Sequence, residues 1–78
     1  MLKQKVVINL IKELNYSPDK LNRLIYQKSI NVSELARKLQ TYYIYIYNIQ
    51  KNIRKPNLDM AIKLARYFDT TVEDLFYV

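Results

Sequence analysis

Glycine is absent from all 78 residues, and proline occurs only at Pro18 and Pro56. These two residue types supply most of the punctuation of loops and hairpins, so a chain nearly without them reads as short helices joined by tight polar turns. An all-α bundle is the expectation. At this length about 60% of the unfolded chain's surface can be buried, which allows one modest core. Cysteine and histidine are also absent, so neither disulfides nor zinc can staple the fold. Small folds of that kind lean on tight helix packing or on association, and a homodimer is expected.

The same absences remove the usual nucleophile, the usual general base near neutral pH and the Cys/His metal clusters, leaving seven carboxylates for chemistry. The expectation is a protein that is not an enzyme and needs no cofactor or metal. The net charge of +6 is unevenly placed: residues 1–58 carry eleven Lys/Arg against Glu13, Asp19 and Glu34, while residues 59–78 carry two against four acids. The basic part calls for an anionic partner. Nucleic acid leads, with an acidic protein or a membrane surface behind it and a merely solvated basic face as the bland reading. No apolar run approaches the roughly 20 residues of a membrane span. Val6 to Ile11 is interrupted by Asn9 and is too short for a signal-peptide core, so a cytoplasmic protein with no membrane partner is expected.

Along the chain, Val7, Leu10, Ile11 and Leu14 fall at i, i+3, i+4 and i+7 and predict a helix at the front, ended by Asn15 and Tyr16. Residues 1–16 are thus an expected helical extension to a domain over 17–78. Ser17-Pro18-Asp19 offers an N-cap hydroxyl, a proline for the first helical position and an acid facing the dipole, predicting a helix from about Pro18 to Lys28 with Leu21, Leu24 and Ile25 buried. Asn31 caps the next expected helix, which runs to about Leu39 with Val32, Leu35, Ala36 and Leu39 on one face. Residues 42–49, Tyr-Tyr-Ile-Tyr-Ile-Tyr-Asn-Ile, are strand-like taken alone. Helix is expected because the neighbours are helical and no strand of comparable strength exists to pair with, Val6 to Ile11 being the one rival partner. Pro56 is expected to open a helix with Leu58, Ala61, Ile62, Ala65 and Phe68 as its stripe, ending near Asp69. Thr71-Val72-Glu73-Asp74 resembles a capping box for a last short helix carrying Val72, Leu75 and Phe76.

With these elements placed, residues 21–76 resemble, without gaps, the five-helix domain of the phage-repressor/Cro (XRE-type) helix-turn-helix family. The resemblance rests on Ile30 to Leu39 (INVSELARKL), Ile46 and Ile49, Arg54 to Leu58 (RKPNL), Ala61 to Ala65 (AIKLA) and Val72 to Phe76 (VEDLF). It implies a five-helix repressor-like domain whose second motif helix, here about residues 42–51, lies in the major groove of double-stranded DNA. Carried over by position, the base readers are Tyr43, Ile44, Tyr47 and Asn48, with Tyr45 nearby. The phosphate contacts are Asn31, Ser33, Tyr42, Lys51, Asn52, Arg54 and Lys55.

This chain departs from the family pattern in several places. Gln40 and Asn52 stand where glycine is usual; Asn tolerates φ > 0, Gln less well. Val32 replaces a Gln that clasps phosphate. Ile25 and Gln50 occupy the positions of a buried Arg/Glu pair, and losing both partners together avoids stranding one charge. The reader is rich in Tyr and Ile, with only Asn48 offering a strong base-pairing group for the major groove. Two functions follow: a DNA-binding transcriptional regulator, expected to be a repressor, or a protein-binding module on the same fold. The second would be an antirepressor, an antitoxin-like partner or a host-factor inhibitor that uses the Tyr-rich helix as its patch.

Overall fold

A computed structural model describes residues 15–77 of the protein. The helix expected at the front of the chain therefore falls over residues 1–14, outside the described residues. Tyr16, expected to close that helix, is instead extended: it forms a lone antiparallel bridge with Tyr77, and Ser17 N–H donates to the Phe76 carbonyl at 2.8 Å. The two ends of the domain are thus tied side by side.

Between them run five helices: α1 (Asp19–Gln27), α2 (Val32–Lys38), α3 (Tyr43–Gln50), α4 (Leu58–Tyr67) and α5 (Val72–Phe76). The Tyr-rich segment is helical, as expected. Its two isoleucines three apart, Ile46 and Ile49, both enter the core and are fully buried, an arrangement that the alternating faces of a strand do not allow.

Side-chain caps fix where the helices begin. Asn31 Oδ1 accepts from Ser33 N at 2.8 Å and Glu34 N at 3.2 Å. Asn57 Oδ1 accepts from Met60 N at 2.8 Å, and Thr71 Oγ1 from Asp74 N at 3.0 Å. Each such cap contributes about 1 kcal/mol. Two expected starts move: Pro18 itself is the N-cap of α1, with Ser17 Oγ accepting from Asp19 N at 3.1 Å, and α4 opens at Leu58 behind Asn57 rather than at Pro56. Asn57 provides an acceptor that proline lacks, so it sets the boundary.

The helices end without glycine. Ser29, Gln40, Asn52 and Asp69 all take φ between 51° and 59°, one at the position following the C-cap of each of α1 to α4. At each the same pair of backbone hydrogen bonds closes the helix; after α2, for example, Gln40 N donates to Arg37 O at 3.0 Å and Thr41 N to Ala36 O at 2.9 Å. This is the Schellman arrangement, ordinarily built on glycine. Each non-glycine residue held left-handed costs about 1 kcal/mol or more, a cost that the side chains of Asn and Asp reduce and that of Gln does not.

Leu21 and Ile25 of α1, Leu35 and Ala36 of α2, Ile46 and Ile49 of α3, Leu64 of α4 and Leu75 and Phe76 of α5 form the centre of one core. Full burial of such a side chain stabilises by about 1.5–3 kcal/mol. The stripe expected on α4 is rotated: Met60 and Leu64 are buried beside Ala61 and Ala65, whereas Leu58 is 71% exposed and Ile62 only half-buried. Leu58 stands at the first turn of α4, beyond the reach of the core, which α4 meets through Ala61, Leu64, Ala65 and Phe68.

Candidate nucleic-acid interface

α2, the four residues Leu39–Tyr42 and α3 make a helix-turn-helix, two helices joined by a short turn. Thr41 and Tyr42 follow the left-handed Gln40, and Tyr42 is the extended N-cap of α3 (φ −98°, ψ 147°). Its side chain makes no cap bond, so the N–H groups of the first turn of α3 lack a side-chain acceptor.

With Ile46 and Ile49 pointing inward, Tyr43, Ile44, Tyr47 and Asn48 are turned outward. Tyr42, Tyr43 and Ile44 are 80%, 50% and 58% exposed, while Tyr47 and Asn48 are half-buried. Tyr43 and Tyr47, one turn apart, stack with ring centroids 6.1 Å apart, and the Lys51 ammonium lies 5.6 Å from the Tyr47 ring. These three form a ladder down one flank of α3. Ile44 and Asn48, also one turn apart, occupy the neighbouring flank.

Tyr45 is placed differently from the other expected readers. It is half-buried against the core, its phenol oxygen accepts the Asn57 N–H at 3.0 Å, and the Arg54 guanidinium covers its ring at 4.6 Å. Its atoms are committed to holding α3 against the start of α4.

Apart from Tyr42, exposed at the start of α3, the expected phosphate contacts fall into two groups. Asn31 and Ser33 stand exposed at the start of α2, where the Asn31 oxygen is committed to capping and its amide N–H groups remain as donors. Lys51, Asn52, Arg54 and Lys55 follow α3 and are all exposed. Arg54 and Lys55 rest on tyrosine faces, Lys55 5.1 Å from the Tyr16 ring, contacts worth about 0.5–1 kcal/mol at exposed sites. They are held close to the body of the domain rather than left to wander.

Ile25 and Gln50 both line the groove between α1 and α3, with Ile25 buried. The link between these helices comes from a residue that sequence reasoning missed. Asn22 Nδ2 donates to the Gln50 carbonyl at 2.9 Å, satisfying one of the carbonyls that the end of α3 leaves open. Nothing in the spacing of α1 marks Asn22, since it lies beside the apolar stripe rather than on it. Tyr16 was missed as well. Its hydroxyl is buried without a hydrogen-bond partner among the described residues, and its pKa is pushed up to about 12, first by desolvation and then by Tyr77 and Tyr45.

Among the described residues, no helix is long and apolar enough to cross a membrane. A family model described as the Cro/C1-type helix-turn-helix DNA-binding domain matches residues 20–78. A stretch of 45 residues is 42% identical to a protein of Haemophilus influenzae named as an uncharacterized HTH-type transcriptional regulator, and covers 58% of this chain. It covers 42% of that protein, so the match spans less than half of the relative's length.

Proposed function

The chain belongs to the Cro/C1-type helix-turn-helix DNA-binding domain family, and from that premise we propose that it is a sequence-specific transcriptional regulator, a repressor that acts by occupying a promoter. The observation that carries this reading is the outward flank of α3, exposed at Tyr42, Tyr43 and Ile44 and followed directly by Lys51, Arg54 and Lys55. An exposed helix start, with a basic segment following the far end of the same helix, suits a helix lying in the major groove between phosphates. In this reading Tyr43, Ile44, Tyr47 and Asn48 meet base edges. Asn31, Ser33, Tyr42, Lys51, Asn52, Arg54 and Lys55 grip the backbone, and Tyr45 positions the reader without touching DNA.

The regulator acts as a homodimer, with two reader helices about 34 Å apart on a two-fold-symmetric site. The exposed Ile53 and Leu58, 68% and 71% accessible, supply apolar surface for pairing. Selection from a random duplex library at physiological salt tests the whole reading, and enrichment of a palindrome is the expected result.

One observation favours a protein partner instead. A groove of about 600 Å³ between α1 and α3 is walled by Tyr26, Tyr43 and Tyr47, and Tyr26 is 84% exposed. Aromatic surface of this kind is enriched at protein interfaces. Retention of no duplex at any salt concentration would move the assignment to that groove.

A further inference from the structure

Resting on the DNA-binding reading, we propose that Ile44 reads the C5-methyl group of thymine, so that the protein distinguishes thymine by its methyl. Ile44 is 58% exposed at the second position of α3, next to the helix N-terminus that enters the groove. In the major groove the base edges present donors and acceptors, and the thymine methyl is the one apolar group among them. Against any other base, the isoleucine would strip water from a polar edge and return no hydrogen bond. Against thymine it buries a methyl on a methyl. Gain and penalty therefore select the same base.

The surroundings of Ile44 reinforce this choice. The strong partners for guanine are Arg and Lys, and the outward positions of α3 from Tyr43 to Asn48 contain neither. Lys51 and Arg54 lie on the faces of Tyr47 and Tyr45 toward the other end of the helix. Asn48, one turn beyond Ile44 on the same flank, carries the amide that suits adenine. Four residues of helix rise span about 6 Å, within two base-pair steps of about 3.4 Å each. Ile44 and Asn48 are thus spaced to read a thymine and an adenine in close succession.

The test uses one random-sequence duplex library prepared twice, with thymidine or with deoxyuridine, which differ only in the 5-methyl group. The sequences that wild-type protein enriches from the thymidine library are then remade in both forms and their affinities compared with those of Ile44→Ala. Wild type should bind the deoxyuridine duplexes about fourfold more weakly for each methyl contacted, the equivalent of about one buried methylene, and Ile44→Ala should bind both forms alike. Equal wild-type affinity for the two forms overturns the inference while leaving DNA binding intact. An undiminished difference in Ile44→Ala also overturns it, by assigning the methyl to another side chain. Failure to retain duplex from either library at any salt overturns the DNA-binding reading, and this inference with it. Because Ile44 lies outside the core, its truncation leaves the fold in place.

Discussion

The side-chain amide of Asn22 in α1 donates to the backbone carbonyl of Gln50, the last residue of α3, at 2.9 Å. It links α1 to the end of α3, beside Ile25 and Gln50, the positions to which the family resemblance gives an ion pair. Replacing Asn22 by Ala should cost about 1 kcal/mol, the net worth of a part-buried hydrogen bond, and lower the melting temperature by roughly 4–8 °C for a domain of this size. Asn22→Asp should cost more, because it sets a carboxylate against a carbonyl with no donor between them. Thermal unfolding followed by circular dichroism measures both, and an unchanged melting temperature in both variants would show that the bond holds nothing.

Gln40 takes φ 58° in the turn of the helix-turn-helix, where its side chain gains nothing from the left-handed region. Gln40→Gly should raise stability by about 1 kcal/mol, visible as a higher urea midpoint. Asn52→Gly should gain less, because Asn tolerates this region. A Gln40→Val substitution should destabilise clearly, since a β-branched residue at positive φ is a true outlier.

The proposed base readers and phosphate grips separate by substitution. Asn48→Ala and Tyr43→Ala should each relax preference at the base that residue reads while leaving general affinity. Arg54→Ala and Lys55→Ala should weaken all duplexes alike, each reducing the salt slope of the dimer by about 2, one contact being lost from each protomer. With about six phosphates neutralised per dimer, log affinity should fall against log salt with a slope near −5. Fluorescence anisotropy titrations at several salt concentrations provide these numbers, and a flat response would exclude DNA as the partner.

Alkaline pH should act on the packed ends of the domain. The Tyr16 hydroxyl is raised from the usual 10.0 to about 12 by burial beside Phe76 and Tyr77. Above pH 10 the unfolded chain releases this proton while the folded chain keeps it, so folding stability falls as pH climbs toward 12. The contribution is fully present below pH 10. Urea unfolding between pH 9 and 12 should show a steeper loss for wild type than for Tyr16→Phe; parallel curves would show that another group is responsible.

The family, the all-helical class and most of the core were legible in the residues, because they depend on short-range periodicity and on capping chemistry. Leu35, Ala36 and Leu39 fall on one face at fixed spacing, and Asn31 and Thr71 carry their cap acceptors wherever the chain goes. Gln40 and Asn52 were marked as left-handed by what they replace; Ser29 and Asp69, which adopt the same conformation, carried no such mark.

Tertiary structure decided the rest. The sequence places Tyr45 among four nearly equivalent tyrosines, and only the approach of Asn57 at the start of the next helix commits its hydroxyl. Leu58 matches the helical stripe but lies a turn beyond the core. Asn22 and Gln50 are 28 residues apart, and Tyr16 meets Tyr77 across nearly the whole domain. Periodicity fixes which side of a helix is apolar, since that depends on neighbours three and four residues away. Which polar group then finds a distant partner depends on how the helices cross, and that is set by the packing of the whole core.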